Sequence, residues 1–285
     1  MTNRGTRTKG ASRRILVFDS GLGGLTVARA LRAAGGAQVA LDYAADTAAF
    51  PYGGWPEKAL RQRIVALMGR LIEKVRPDVV VIACNTASVV ALSALRDAFD
   101  VPFVGTVPAI KPAAARTRSG IIGVLATPGT VRREYTQALI HTYAFHCRVI
   151  LHGARGLAAL AEARLAGAAV DEAALLDEIA PVFVRKGDAR TDEVVLGCTH
   201  YPLLLEEMQR IAPWPVEFID PSAAIARRAL EVARSCVPHG AGQGGCVYVT
   251  SGKADTAARR ALFAREGFAS FKVLDMPVDG RRGRM

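Results

Sequence analysis

The stretch that decides the fold is VVVIACNT at residues 79–86, a β-branched apolar run that ends in a cysteine followed by small polar residues. A second stretch of the same kind, VVLGCTH at residues 194–200, lies in the other half of the chain. Short apolar runs that end at turn-forming residues are typical of strands buried on both faces of a parallel sheet. One such cysteine is most often a buried core thiol, but two in matching contexts predict one site with a thiol on each side.

The rest of the chain supports an α/β fold. From Ile15 onward, short apolar runs alternate with amphipathic stretches, which is typical of strand–helix units around mostly parallel sheets flanked by helices. The predicted strands cover residues 15–18, 39–43, 79–83, 101–104, 121–125, 149–151, 194–197, 216–219 and 246–250. A helix is predicted between the second and third of them, because apolar residues from Leu60 to Ile72 recur at helical spacing.

Two proline-rich passages, at residues 101–112 and 213–221, indicate that the chain crosses twice between domains. Residues 1–108 and 216–285 are expected to form one discontinuous domain that carries Cys84, and residues 109–215 an inserted domain that carries Cys198. An imperfect repeat supports this division, since ILVFDSG at 15–21 is echoed by IGVLATPG at 122–129. We therefore expect two pseudo-symmetric domains with the active site in the cleft between them, where the carboxyl ends of both sheets meet.

Composition narrows the class of protein. The chain has 285 residues and 51% hydrophobic content, and its longest uncharged stretch, residues 79–95, is too short and too polar for a membrane span. The N-terminus lacks the apolar segment of a secretory signal. The five cysteines are an odd number without Cys-x-x-Cys spacing, which argues against a disulfide framework or a zinc site. A cytoplasmic protein without membrane contact is expected.

The net charge of +11 raises the question of nucleic-acid binding. Eight basic residues lie near the two termini, with no acidic residue among them: Arg4, Arg7, Lys9, Arg13, Arg14, Arg281, Arg282 and Arg284. Solvated, disordered ends explain this distribution best. Any association with nucleic acid is expected to be weak and mediated by these ends.

Cysteine and histidine supply the clearest chemistry. A cysteine between a strand and a helix lies near unpaired N–H groups and the positive end of the helix dipole, which favours the thiolate. His200, two residues after Cys198, is suited to act as a general acid or to stabilise that thiolate.

Two turns carry further polar candidates. The turn DSGLGG at residues 19–24 does not match the dinucleotide-binding pattern, because position 26 is threonine, but it could place Asp19 and Ser20 at the cleft. The turn FPYGG at residues 50–54 could close Tyr52 and the N–H group of Gly53 over a small anion.

The residues leave two other chemistries open. Cys198 and His200 also fit a thiol hydrolase, although that reading gives Cys84 no role and neighbouring positions are unusual for a nucleophile–base pair. A pyridoxal phosphate enzyme would need a Schiff-base lysine, for which Lys253 is the only locally suggestive candidate.

Five motifs, in order, resemble those of the glutamate racemase family over nearly the whole chain. They are FDSGLGGLTV at 18–27, ADTAAFPYG at 45–53, ACNTAS at 83–88, LATPGTV at 125–131 and GCTHYPLL at 197–204. The resemblance implies a cofactor-independent, metal-free isomerase that interconverts L- and D-glutamate and supplies D-glutamate for peptidoglycan. It also implies a homodimer.

The resemblance further implies roles for individual residues. Cys84 and Cys198 would stand on opposite faces of the substrate Cα, with Asp19 assisting Cys84 and His200 assisting Cys198. The cysteine that matches Cys84 would act on D-glutamate and the one that matches Cys198 on L-glutamate. The implied substrate contacts are Asp19, Ser20, Tyr52, Gly53, Asn85, Thr86, Thr127, Thr130, Thr199 and His200.

One region departs from the family pattern. The stretch GARGLAALAE at residues 153–162 stands where the family carries a Cys-Pro-containing stretch that leads to a glutamate near the second cysteine. Glu162 is the best match for that glutamate and is included as a catalytic candidate. The departure keeps open a racemase of the same superfamily that acts on aspartate or another acidic substrate.

Overall fold

The computed structural model describes residues 12–236 and 244–278, which form two parallel sheets flanked by helices. The strands are β1 (Arg13–Asp19), β2 (Val39–Ala45), β3 (Val79–Ile82), β4 (Phe103–Val104), β5 (Ile121–Ala126), β6 (Arg148–Gly153), β7 (Arg185–Lys186), β8 (Ala189–Arg190), β9 (Glu193–Gly197), β10 (Glu217–Ile219), β11 (Cys246–Val249) and β12 (Ser270–Val273). The helices are α1 (Leu25–Gly35), α2 (Glu57–Val75), α3 (Asn85–Ala98), α4 (Ile110–Arg116), α5 (Pro128–Val131), α6 (Glu134–Tyr143), α7 (Leu157–Leu165), α8 (Glu172–Ile179), α9 (Leu205–Ile211), α10 (Ser222–Ser235) and α11 (Ala257–Arg265).

The two sheets share one topology. The first has six strands in the order β12-β11-β2-β1-β3-β4, and the second has four in the order β10-β9-β5-β6. In each sheet a central strand, β1 or β5, pairs in parallel with the strand that follows it in sequence and with the strand that ends at a cysteine. The predicted α/β class with two sheet-bearing domains is confirmed, and the repeated ILVFDSG and IGVLATPG segments begin at equivalent central strands.

Sheet membership differs from the expected domain boundary at one place. The predicted boundary between residues 215 and 216 assigns the following strand to the first domain, but β10 pairs with β9 of the second sheet. The second sheet thus extends to Ile219, because the chain completes this edge pairing before it returns to the first sheet. Strand β12 and the antiparallel pair of β7 and β8 were not predicted, since their sequences are short and mostly polar.

Helices cover both faces of each sheet. In the first domain, α1 and α10 pack with one face of the sheet, whereas α2 and α3 pack with the other. In the second domain, α7, α8 and α9 pack together on one face and α4 on the other. The polar residues that follow β1, β3 and β9 therefore lie together at the carboxyl ends of the strands, because helices bury both faces of each sheet.

The basic N-terminal segment is shorter than the sequence predicted. Arg13 and Arg14 are part of β1, and the Nε atom of Arg14 lies 2.7 Å from the buried carboxylate of Asp42. These two cations are therefore structural, because the strand continues outward through them. The other six basic residues named above lie outside the described residues. Within residues 12–236 and 244–278, no helix is both long enough and apolar enough to cross a membrane.

Candidate active site

Both predicted cysteines line one narrow cleft between the sheets. Cys84 follows β3 and caps the N-terminus of α3, and Cys198 follows the equivalent strand β9 and precedes a short 3₁₀ helix, Tyr201–Leu204. The cleft is lined by Ser20, Phe50, Pro51, Tyr52, Gly53, Cys84, Asn85, Thr86, Thr127, Ala158, Gly197, Cys198, Thr199 and His200. Topological equivalence of the two strands is thus what brings the two thiols to one site.

Cys84 is buried and held by short polar contacts. Its sulfur accepts the Ala87 N–H at 3.5 Å and lies 3.8 Å from the Ser20 hydroxyl, which it contacts as a donor. Burial raises the pKa of this thiol well above its usual range, and the nearby charge of Asp19 raises it further. The sequence predicted a thiolate favoured by the helix dipole, and the difference arises because loss of hydration outweighs the donors at the helix N-terminus.

Cys198 faces His200, which in turn contacts Glu162. The Cys198 sulfur lies 3.9 Å from His200 Nδ1, and His200 Nε2 lies 3.2 Å from Glu162 Oε1. Burial alone would lower the pKa of His200, but hydrogen bonds to Cys198 and Glu162 outweigh it and raise that pKa to about 10. The neighbouring cysteine and histidine therefore do contact each other, although their sequence positions argued against it.

The glycine-rich turn after β1 supplies N–H groups to the same histidine and glutamate. The Leu22 amide donates to Glu162 Oε1 at 3.0 Å, and the Gly23 amide donates to His200 Nε2 at 3.2 Å. A Cβ atom at Gly21 would lie 2.3 Å from that carboxylate, and one at Gly23 would lie 2.6 Å from His200 Nδ1. The glycines of this turn therefore permit close approach to the second domain, not the binding of a dinucleotide.

Asp19 lies behind the cleft lining. Its Oδ1 accepts the Gly21 N–H at 2.8 Å, and its Oδ2 accepts the Thr199 hydroxyl at 2.8 Å. Glu162 and Thr130 are placed similarly, since each contacts a lining residue without lining the cleft itself. The structure thus separates the candidates into residues that face the cleft and these three that support them.

Three threonines meet on the opposite side of the cleft. The Thr86 hydroxyl lies 3.3 Å from that of Thr127 and 3.4 Å from that of Thr130, and the last two are 2.9 Å apart. Beside them, neither the oxygen nor the nitrogen of the buried Asn85 amide has a hydrogen-bond partner among the described residues. Unpaired buried polar atoms are costly, so Asn85 is suited to a polar ligand.

The loop that carries Tyr52 and Gly53 differs in detail from expectation. The Tyr52 hydroxyl donates to Asp46 at 2.6 Å, away from any anion in the cleft, while Gly53 lies beside Thr127. Phe50 packs against His200, with ring centroids 5.2 Å apart. No pattern in the sequence predicts this aromatic contact, because only the fold brings the loop to the second domain.

Lys253, the lysine considered for pyridoxal phosphate, is exposed and lines a separate surface pocket with Arg259 and Asp275. In the described part of the chain, no cluster of three or more His, Cys, Asp or Glu side chains is arranged to hold a metal ion. Lys253 therefore does not line the cleft that holds the two cysteines.

Comparison with known proteins agrees with the motifs. The model of the Asp/Glu/Hydantoin racemase family matches residues 26–229. The glutamate racemase of Brucella ovis is 53% identical over 257 residues, which cover 88% of this chain and 91% of that protein. That of Brucella anthropi is 56% identical over 225 residues, or 79% of this chain and 81% of that protein.

Solved structures lead to the same family. Escherichia coli glutamate racemase, crystallised with L-glutamate and the activator UDP-MurNAc-ala, superposes with a TM-score of 0.87 and 39% identity. The match covers 93% of this chain and 98% of that one. Isoform RacE1 from Bacillus anthracis gives a TM-score of 0.76 at 25% identity, over 95% of this chain and all of that one. The chain belongs to the Asp/Glu/hydantoin racemase family and, within it, to the glutamate racemases, which are amino-acid isomerases.

Proposed function

We propose that this protein interconverts L- and D-glutamate without a cofactor, with Cys84 and Cys198 as the two acid–base groups on opposite faces of the substrate Cα. The observation that carries the proposal is the placement of both buried thiols in one cleft, at the ends of equivalent strands. D-glutamate supply for peptidoglycan is the known role of the glutamate racemases, and we propose the same role here.

The reaction needs two bases because the proton leaves one face of Cα and returns on the other. From L-glutamate, the Cys198 thiolate takes the Cα proton, and the Cys84 thiol then donates its own proton to the opposite face, which gives D-glutamate. In the other direction the two thiols exchange roles. The raised pKa of Cys84 suits its role as proton donor, because it keeps the thiol protonated near neutral pH.

His200 supports the Cys198 half of the reaction. With a proton on Nδ1, it donates toward the sulfur 3.9 Å away and stabilises the thiolate. Its Nε2 atom accepts from Gly23 when unprotonated and donates to Glu162 when protonated, so the ring is held in both states. We propose that Glu162 orients this ring and that Asp19, through Ser20 and Thr199, orders the Cys84 half.

The substrate charges require polar partners because no cofactor delocalises the carbanion. The free amide of Asn85 and the hydroxyls of Ser20, Thr86, Thr127 and Thr199 are the proposed contacts, together with the backbone of Gly53. Tyr52 and Thr130 are proposed to shape this wall, since their hydroxyls already bond to Asp46 and Thr127. The L-glutamate bound in the Escherichia coli relative supports glutamate as the substrate.

A thiol hydrolase remains a second candidate because Cys198 and His200 are in contact. Cys84→Ser separates the two functions. A racemase loses turnover on glutamate, whereas a hydrolase that uses Cys198 keeps most of its activity.

Compartment and assembly are also proposed. All five cysteines are free thiols, which fits a cytoplasmic protein in a reducing environment. A homodimer is proposed from the family resemblance, and sedimentation at micromolar concentration tests it. Aspartate competition against L-glutamate tests whether the altered stretch at residues 153–162 relaxes substrate choice.

The direct test of the function is incubation of metal-free and pyridoxal-phosphate-free protein with L-glutamate in deuterated water. We expect D-glutamate to form with solvent deuterium at Cα. A folded sample that exchanges no Cα proton in either enantiomer contradicts the proposal.

A further inference from the structure

We propose that Arg259 is a positioning residue for the Cys198 half of the site, because its ion pair holds the Glu162 carboxylate that orients His200. The proposal rests on the roles proposed above for Cys198 and His200. It adds to the site a cation from the C-terminal part of the chain, beyond the residues 26–229 that the family model matches.

The contacts form a continuous path across the two domains. Arg259 lies in the first turn of α11, after β11 of the six-stranded sheet, and its Nη2 atom is 3.3 Å from Glu162 Oε2. Glu162 lies on α7, which packs with the four-stranded sheet. Its other oxygen, Oε1, contacts His200 Nε2 at 3.2 Å and the Leu22 amide at 3.0 Å. Each carboxylate oxygen is thus fixed by a different part of the chain.

The second anchor matters because His200 must keep one orientation while Cys198 loses and gains its proton. Contacts to Oε1 alone leave the other oxygen of Glu162 without a partner, and a partly buried carboxylate is costly when it is incompletely paired. The side chains of Glu162 and Arg259 are 14% and 30% exposed, so solvent replaces this pairing poorly. An ion pair at Oε2 keeps the carboxylate charged and fixes its plane.

The charges around Glu162 give the direction of the expected pH effect. Burial raises the pKa of Glu162, but the hydrogen bond and charge of His200, the Leu22 amide and the charge of Arg259 outweigh it and lower that pKa. The other ionisable groups near this cluster are Asp19, which acts on His200, and the Tyr43 hydroxyl, whose pKa is raised chiefly by burial and also by Asp19 and Glu162. Loss of Arg259 therefore raises the pKa at which Glu162 takes up a proton.

The same helix provides a matched control. Arg260 is the next residue, but it pairs with Asp255 at 2.5 and 2.6 Å on the surface and makes no contact with Glu162 in the described structure. Its side chain is 51% exposed. Arg260→Gln therefore removes one positive charge from the same turn without touching the path to His200.

The experiment measures kcat and KM for L-glutamate against pH in Arg259→Gln, Arg259→Lys and Arg260→Gln, after urea unfolding has shown each variant to be folded. We expect Arg259→Gln to lower kcat by about 10- to 100-fold with little change in KM, as for a small misplacement of a reacting group. Its acid limb should move to higher pH. Arg259→Lys should restore most of the activity, and Arg260→Gln should match the wild type.

A wild-type kcat and a wild-type pH profile in Arg259→Gln overturn the proposal. A loss of kcat in Arg260→Gln equal to that in Arg259→Gln also overturns it. If Arg259→Gln does not fold, Glu162→Gln decides. We expect Glu162→Gln to lower kcat with little change in KM, whereas a wild-type kcat would show that Glu162 has no orienting role and would overturn the proposal. His200→Asn separates the two levels: retained wild-type turnover contradicts the role proposed above for His200, whereas loss of turnover there, together with a wild-type kcat in Arg259→Gln, contradicts only the role of Arg259.

Discussion

Gly23 lies so close to His200 that any side chain would displace the ring. A Cβ atom there would be 2.6 Å from His200 Nδ1 and 2.7 Å from the His200 backbone nitrogen. The motif around it is visible in the sequence, but its purpose is not, because the neighbour that requires glycine belongs to the other domain.

Gly23→Ala is expected to lower turnover by about 100-fold through displacement of His200 and to reduce the free energy of unfolding by about 1–3 kcal/mol. Steady-state kinetics and urea unfolding measure the two effects. Gly54→Ala is the control, because no atom of the described structure lies within 4 Å of a Cβ atom at that exposed position. Equal turnover and equal free energy of unfolding in the two variants would show that the close approach of Gly23 to His200 is not needed.

His200 also makes stability depend on pH. Its pKa rises from an ordinary 6.5 to about 10 in the folded protein, so the charged ring stabilises the fold fully below pH 6.5. That contribution is lost as pH rises toward 10. We expect the difference in free energy of unfolding between wild type and His200→Asn to shrink across this window, as measured by urea unfolding at each pH. A difference in free energy of unfolding that grows with pH would contradict stabilisation of the fold by the charged ring.

At the scale of elements, one buried cation on α2 contacts both a buried carboxylate and the C-terminal segment. Arg63 of α2 lies 2.6 Å from Asp46, and its guanidinium also donates to the Met276 carbonyl at 2.7 Å. Asp46 accepts the hydroxyls of Tyr52 and Thr250, each at 2.6 Å. The network therefore ties the loop of the candidate site to the end of the described chain.

Arg63→Ala is expected to destabilise the protein by about 3–5 kcal/mol, because it leaves the Asp46 carboxylate buried without its cation. Arg61→Ala on the same helix is the control, since Arg61 pairs with an exposed Glu57 and such surface pairs contribute about 0–1 kcal/mol. Urea unfolding compares the two variants. A similar small loss in both would mean that Asp46 is held by its hydroxyl partners alone.

Element by element, the sequence predicts the strands that are apolar and buried on both faces. The predicted segments at residues 15–18, 79–83 and 194–197 coincide with β1, β3 and β9 to within two residues at each end. It fails where tertiary context decides, as at β12, whose strand SFKV is largely exposed, and at Arg63, a charged residue of α2 that is nevertheless buried. Periodicity reports the average face of a helix and cannot show that one cation on it meets a buried carboxylate.

At the scale of the molecule, the candidate site exists only when the two domains are together. The sequence predicts the two thiols from their repeated position at the ends of strands. It does not predict the contacts of Arg259 and Phe50, or those that hold Glu162, because they join segments that are distant in the chain. The cleft itself holds about 20 Å³, which is room for roughly one water molecule. We therefore expect the domains to separate before glutamate binds.

Hydrogen exchange should detect that separation. The Leu22 and Gly23 amides donate across the domain boundary to Glu162 and His200, so opening exposes them. We expect saturating glutamate to slow their exchange by about 10-fold or more, because it favours the closed form. The Ala83 amide, which donates to Phe18 within one sheet, serves as the internal reference. Equal slowing at all three amides would indicate general stabilisation without domain closure.

The most direct test of one thiol for each face is elimination from the two enantiomers of a β-substituted glutamate, which needs only one base. Cys84→Ser should expel the β-substituent from the L form and not from the D form. Cys198→Ser should expel it from the D form and not from the L form. Neither variant should racemise glutamate at more than about one-hundredth of the wild-type rate. A variant that eliminates from both enantiomers, or that racemises glutamate at the wild-type rate, would contradict the two-thiol site.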